Sequence, residues 1–69
     1  MEVAYTTYKT VYLHHTDGAV LVETIDGDDL WIPRSNIEDG MDLTFSDYNR
    51  YDEIELEVAE WFAIREGLV

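Results

Sequence analysis

Glu53-Ile54-Glu55-Leu56-Glu57-Val58 sets an acid at every odd position and an aliphatic side chain at every even one, then runs straight into Ala59-Glu60-Trp61-Phe62-Ala63-Ile64-Arg65-Glu66-Gly67. Strict alternation is the period of a strand with one wet face and one dry face. The stretch from Ala59 to Gly67 instead has the spacing of a short amphipathic helix, with Trp61, Phe62 and Ile64 to pack on a sheet, Arg65 near its C-terminal dipole and Gly67 as its stop. A strand with one dry face followed by a helix with one apolar stripe predicts a helix lying on an antiparallel sheet.

Working back from that junction, the chain supplies the rest of the sheet. Val3 to His14 is mostly β-branched or aromatic and reads as one long or bent strand. Asp17-Gly18 is a turn signal into a second run, Ala19 to Ile25, which ends at another turn, Asp26-Gly27. Asp29 to Ile32 is a short third strand stopped by Pro33, which removes a ladder donor. Ser35 to Glu38 has capping-box spacing and predicts a single helical turn. Met41 to Phe45 alternates and predicts a fourth strand, and Ser46 to Asp52 is a polar turn. The expected order is β-β-β-β-β-α. This is an α+β fold: one domain over 1–69, with a small, curved antiparallel sheet of four to five strands and a short C-terminal helix packed on it.

Composition bounds what such a domain does. Sixteen Asp and Glu stand against four Lys and Arg, a formal charge of -12, and residues 23 to 60 hold 13 of the acids with two of the bases. Yet 46% of the residues are apolar, which is enough to bury a core and exclude the disordered class. Lys9, Arg34, Arg50 and Arg65 are too few to displace counterions from phosphates, so direct nucleic-acid binding is excluded, and anionic membranes are disfavoured by the same field. With no cysteine there is neither a disulfide framework nor a thiolate metal site. No basic leader or long apolar run is present, so a cytoplasmic setting is expected.

The carboxylates are the candidate partner-binding residues. On a strand, Glu53, Glu55 and Glu57 stand roughly 6.7 Å apart along one face, a repulsion that folding does not require. A DNA strand carries one phosphate about every 3.4 Å, so this ladder needs reinforcement from neighbours. Asp28, Asp29, Glu38, Asp39, Asp42, Asp47 and Asp52 are available for that, with Tyr48 and Tyr51 as aromatic contacts within the acidic region. Set against this is an ordinary solvated acidic face, or the general surface acidity of a halophile.

Other constellations carry less. Asp26, Asp28 and Asp29 lack the ligand spacing of a calcium loop and are better explained by turn chemistry, so no metal is assigned. His14 and His15 are adjacent, so on a strand they face opposite ways and cannot share one ion. No serine lies in a nucleophile elbow, and the reading is not an enzyme. Trp31, Trp61, Phe45 and Phe62 are expected mainly in the core, with no cofactor implied.

Leu30-Trp31-Ile32-Pro33-Arg34-Ser35-Asn36-Ile37, followed by the block from Ile54 to Leu68, resembles a small uncharacterised domain of phages and mobile elements. That domain has the pattern Trp-Ile-Pro-(Lys/Arg)-Ser-x-Ile, then a Glu-Trp-(Leu/Phe)-Ala strand-to-helix junction and a closing Gly-Leu. Here Ala59 replaces the usual proline, and an acidic segment, Asp39 to Asp52, is inserted between the two blocks. In size and acidity the chain also resembles DNA-mimic anti-CRISPR proteins. That second resemblance implies a basic DNA-binding subunit, of a CRISPR effector complex, as partner, with no catalysis. The competing expectation is a small acidic interaction module of a phage or halophile whose charge serves solubility.

Overall fold

The computed structural model describes residues 3–68. Their order is β1 (Tyr5–His15), β2 (Ala19–Glu23), β3 (Asp29–Pro33), a 3-10 turn (Arg34–Asn36), β4 (Glu53–Ala59) and α1 (Glu60–Arg65). The four strands make one antiparallel sheet in the order β3-β2-β1-β4. The expected α+β architecture is therefore present, with four strands of the four to five and the helix packed on them.

Both hairpin turns form where Asp-Gly pairs predicted them. In the first, the Thr16 hydroxyl accepts from the Gly18 and Ala19 amides, and the Thr16 amide donates to the Ala19 carbonyl. In the second, Gly27 adopts φ 82°, and the Thr24 carbonyl and hydroxyl accept from the Gly27 and Asp28 amides. β1 is long because its alternation serves two partners, β2 and β4. Near its end the register slips between Tyr12 and His14, so Leu13 is an extra residue in a β-bulge that bends the strand.

One face of the sheet is dry. Tyr8, Tyr12, Val20, Val22, Ile32, Ile54, Leu56 and Val58 form the core with Ile37 and Phe45 from the 34–52 connection and Phe62 and Ala63 from α1. That connection leaves β3 at one sheet edge and returns as β4 at the other, so it has to cross a face, and it crosses this one. Gly67 ends α1 at φ 71°, with Leu68 N–H donating to the Ala63 carbonyl and Gly67 N–H to that of Ile64. This double-bonded C-cap folds Leu68 back onto the core.

Four expectations are corrected. Met41 to Phe45 is not a strand: Met41 and Asp42 lie in turns, and the carbonyls of Gly40 and Leu43 accept from the Arg34 guanidinium instead of from a neighbouring strand. The helical turn begins at Arg34 with no side-chain cap, so Ser35 does not act as the start of a capping box. Of the aromatic groups expected inside, Phe45 and Phe62 are buried, but Trp31 and Trp61 are about half exposed. Ile64, expected to pack on the sheet, is exposed as well, because the six-residue α1 has room for only Phe62 and Ala63 on its inner side.

The charge acts against this thin structure, whose extents are 35 × 28 × 16 Å. At about 0.01 M salt the Debye length, roughly 30 Å, reaches across the molecule, and at about 0.15 M it is roughly 8 Å. Thermal midpoints are therefore expected to rise by several degrees over that range, as self-repulsion is screened. A midpoint that stays flat or falls in scanning calorimetry contradicts this.

Candidate functional site

Among the described residues nothing covers the other face of the sheet, and it collects carboxylates. On β4, Glu53, Glu55 and Glu57 all point to it, since Ile54, Leu56 and Val58 point into the core. Register then adds a row across the sheet. Glu53 is opposite Val11, Val11 is opposite Glu23, and Glu23 is opposite Asp29. Five carboxylates thus form an L, three down the β4 edge and two more across one end of the sheet. Within the column, neighbours are about 6.7 Å apart, and Glu23 and Asp29 stand on adjacent strands about 4.8 Å apart. Asp26 and Asp28 extend the row into the β2–β3 turn.

Little neutralises this face. Lys9 is opposite Glu55, and the Thr7 hydroxyl donates to Glu57 at 2.6 Å. Among the described residues the one ion pair within 4.0 Å is Arg65 with Glu66, at the end of α1 and away from the face. The remaining corner of the face is apolar. Leu21 is opposite Trp31 and His14 is opposite Leu21, with the His14 ring edge-on to Trp31 at 6.5 Å between centroids.

The other expected contact residues lie elsewhere. Glu38, Asp39, Asp42, Asp47, Asp52, Tyr48 and Tyr51 belong to the connection that packs on the opposite face. Glu38 reaches back to the acid column, because its amide donates to the Glu57 carbonyl. Asp52 serves its own turn, with its carboxylate accepting from the Asn49 amide at 2.8 Å. Tyr48 leans on Tyr12 and Phe45, and so is partly a packing residue, whereas Tyr51 is exposed beside Arg50. Asp28 and Asp29 join Glu53, Glu55 and Glu57, and Glu38 adjoins that column; Asp39, Asp42, Asp47 and Asp52 belong to the connection on the opposite face.

Glu23 was missed by sequence reasoning, although Ala19, Leu21 and Glu23 share one face by simple alternation. Trp31 was misread because its strand has only five residues, too few for the pattern to show which side is dry. His14 and His15 turn to different neighbours, His14 to Trp31 and His15 to Phe45 and Tyr12, whose hydroxyl bonds its Nδ1, although their own ring centroids stay 6.0 Å apart. Among the described residues no group of three His, Cys, Asp or Glu converges to hold a metal ion, and no helix is long and apolar enough to cross a membrane.

No protein-family model, no curated protein and no solved structure matches the chain.

Proposed function

We propose that this protein is an acidic DNA mimic, anti-CRISPR-like and phage-encoded, that acts in the host cytoplasm. It occupies a basic DNA-binding surface of a CRISPR effector complex and so blocks target DNA. The action is binding without turnover. One observation carries the reading: five carboxylates gather on the uncovered sheet face, backed by a packed core and almost free of ion pairing. A rigid array of like charge steers a basic partner and complements a groove built for phosphates.

The test is competition for target DNA across CRISPR effectors of several types, at low and high salt. Loss of DNA binding with one effector, relieved by excess DNA or by salt, is the expected result. Changing Glu53, Glu55 and Glu57 together to Gln is expected to weaken inhibition about tenfold or more, since complementary charges at such surfaces set both on-rate and affinity. Undiminished inhibition by the triple variant refutes the assignment of the face.

The apolar corner at Trp31 favours a second reading, an interaction module whose acidity serves solubility. That version expects binding that tolerates salt and is lost on Trp31→Ala.

A further inference from the structure

The two edges of the sheet are treated differently. Along β4 the edge is covered at its C-terminal end, where Ile37 bridges to Val58 and the Glu38 amide donates to the Glu57 carbonyl at 2.8 Å. Along β3 nothing among the described residues covers it. The Thr24 amide bonds the Asp28 carbonyl at 2.8 Å, and the Arg34 amide bonds the Gly18 carbonyl at 3.0 Å, one pair at each end of the β2–β3 ladder. Antiparallel alternation between them turns the main-chain groups of Leu30 and Ile32 toward β2 and those of Asp29, Trp31 and Pro33 outward. The amides of Asp29 and Trp31 and the carbonyls of all three thus face solvent as an unpaired edge.

We propose that this edge receives an extended, cationic segment of the partner protein as an additional strand. A second copy of the chain is a poor occupant, since -12 on each molecule opposes close approach along an edge that itself carries Asp29. The same charge favours a lysine- or arginine-bearing strand. Alternate side chains of the incoming strand lie on the open face, beside Trp31, which is 47% exposed, and the Glu23 and Asp29 carboxylates.

The other set of side chains meets a cleft of about 210 Å³ that adjoins the start of β3. Tyr8, Leu30 and Leu68 line it together with Asp26, Asp28 and Glu66. A cleft lined by both apolar side chains and carboxylates suits one long basic side chain, whose stem packs on the former while its head meets the latter. Main-chain pairing supplies affinity, and the alternate side chains supply selectivity. This inference rests on the reading that the partner is a basic protein surface, and not on that partner being a CRISPR effector.

The probe is a synthetic peptide of about ten residues alternating Lys with Val and Thr, compared with an equally charged peptide carrying two internal prolines. Titration of the intact protein, followed by amide exchange, is expected to show the alternating peptide binding at least about tenfold tighter and protecting the Asp29 and Trp31 amides. Trp31→Pro, a change tolerated where an edge N–H faces solvent, is expected to reduce it to the level of the proline control. Equal binding of the two peptides, or protection confined to β4, overturns the proposal. So does concentration-dependent protection of the same amides without peptide, which identifies a second copy as the occupant. Failure of the protein to displace DNA from any effector removes the mimic reading alone, because the peptide pair decides the edge directly.

Discussion

Replacing Arg34 by alanine is expected to lower the unfolding free energy by about 3–5 kcal/mol. For a chain of 69 residues the whole margin is about 3–10 kcal/mol, so much of the variant unfolds at physiological temperature. The guanidinium is buried, with Nη1 donating to the Gly40 carbonyl at 3.0 Å and the Leu43 carbonyl at 2.6 Å, and Nε reaching the Thr16 carbonyl at 3.4 Å. It also lies 4.9 Å from the centre of the Phe45 ring. Among the described residues no carboxylate stands within 4.0 Å of it, and carbonyl dipoles and an aromatic face balance its charge. One side chain therefore ties the β1–β2 turn to the connection that covers the core. Alanine removes the donors and leaves buried carbonyls unpaired, each costing about 1–3 kcal/mol.

Arg34→Lys keeps the charge but offers a compact ammonium in place of a planar fork, and is expected to lose about half as much. Urea titrations followed by circular dichroism read both variants. A loss below about 1 kcal/mol for alanine would show that the connection holds its place without the guanidinium. Since Glu23, Glu53, Glu55 and Glu57 stand on strands, the destabilised protein is expected to keep binding a basic partner in proportion to its folded fraction. That separates a structural role for Arg34 from a role in contact.

Alternation carried most of what the sequence revealed. β4, both Asp-Gly hairpins and the glycine-stopped helix follow from local rules, because in each the side-chain period and the turn chemistry agree. Met41 to Phe45 misled because its segment is held by the Arg34 guanidinium, which takes the Gly40 and Leu43 carbonyls, while the nearby end of β4 is taken by Ile37 and Glu38. Period alone does not show that. Which acids share a face is likewise a matter of register: Glu23 and Asp29 join Glu53 only through Val11, three separate pairings that no local pattern contains. Arg34 read as one of four scattered cations, since main-chain carbonyl partners give no sequence signal.

Gly40→Ala is expected to cost about 3 kcal/mol or more, by the overpacking of a site with no freedom to yield. A Cβ there would stand 2.0 Å from the Arg34 carbonyl oxygen and 2.9 Å from that of Ile37, both main chain, so no rotamer change relieves the clash. The backbone of Gly40 is not left-handed, which makes the requirement one of space and not of conformation. Its amide donates to the Ile37 carbonyl and its own carbonyl accepts from Arg34, so displacing it breaks both bonds. Gly18→Ala is the control: a Cβ at that turn meets nothing within 4 Å, and the change is expected to fall within about 0.5 kcal/mol of neutral. Because Gly40 and Arg34 secure one segment, Arg34→Ala combined with Gly40→Ala is expected to lose well under the sum of the two. Thermal or urea unfolding of the four proteins decides the matter: additive losses would mean that the two residues hold separate parts of the fold, and a mild Gly40→Ala would mean that the connection can shift away from Arg34.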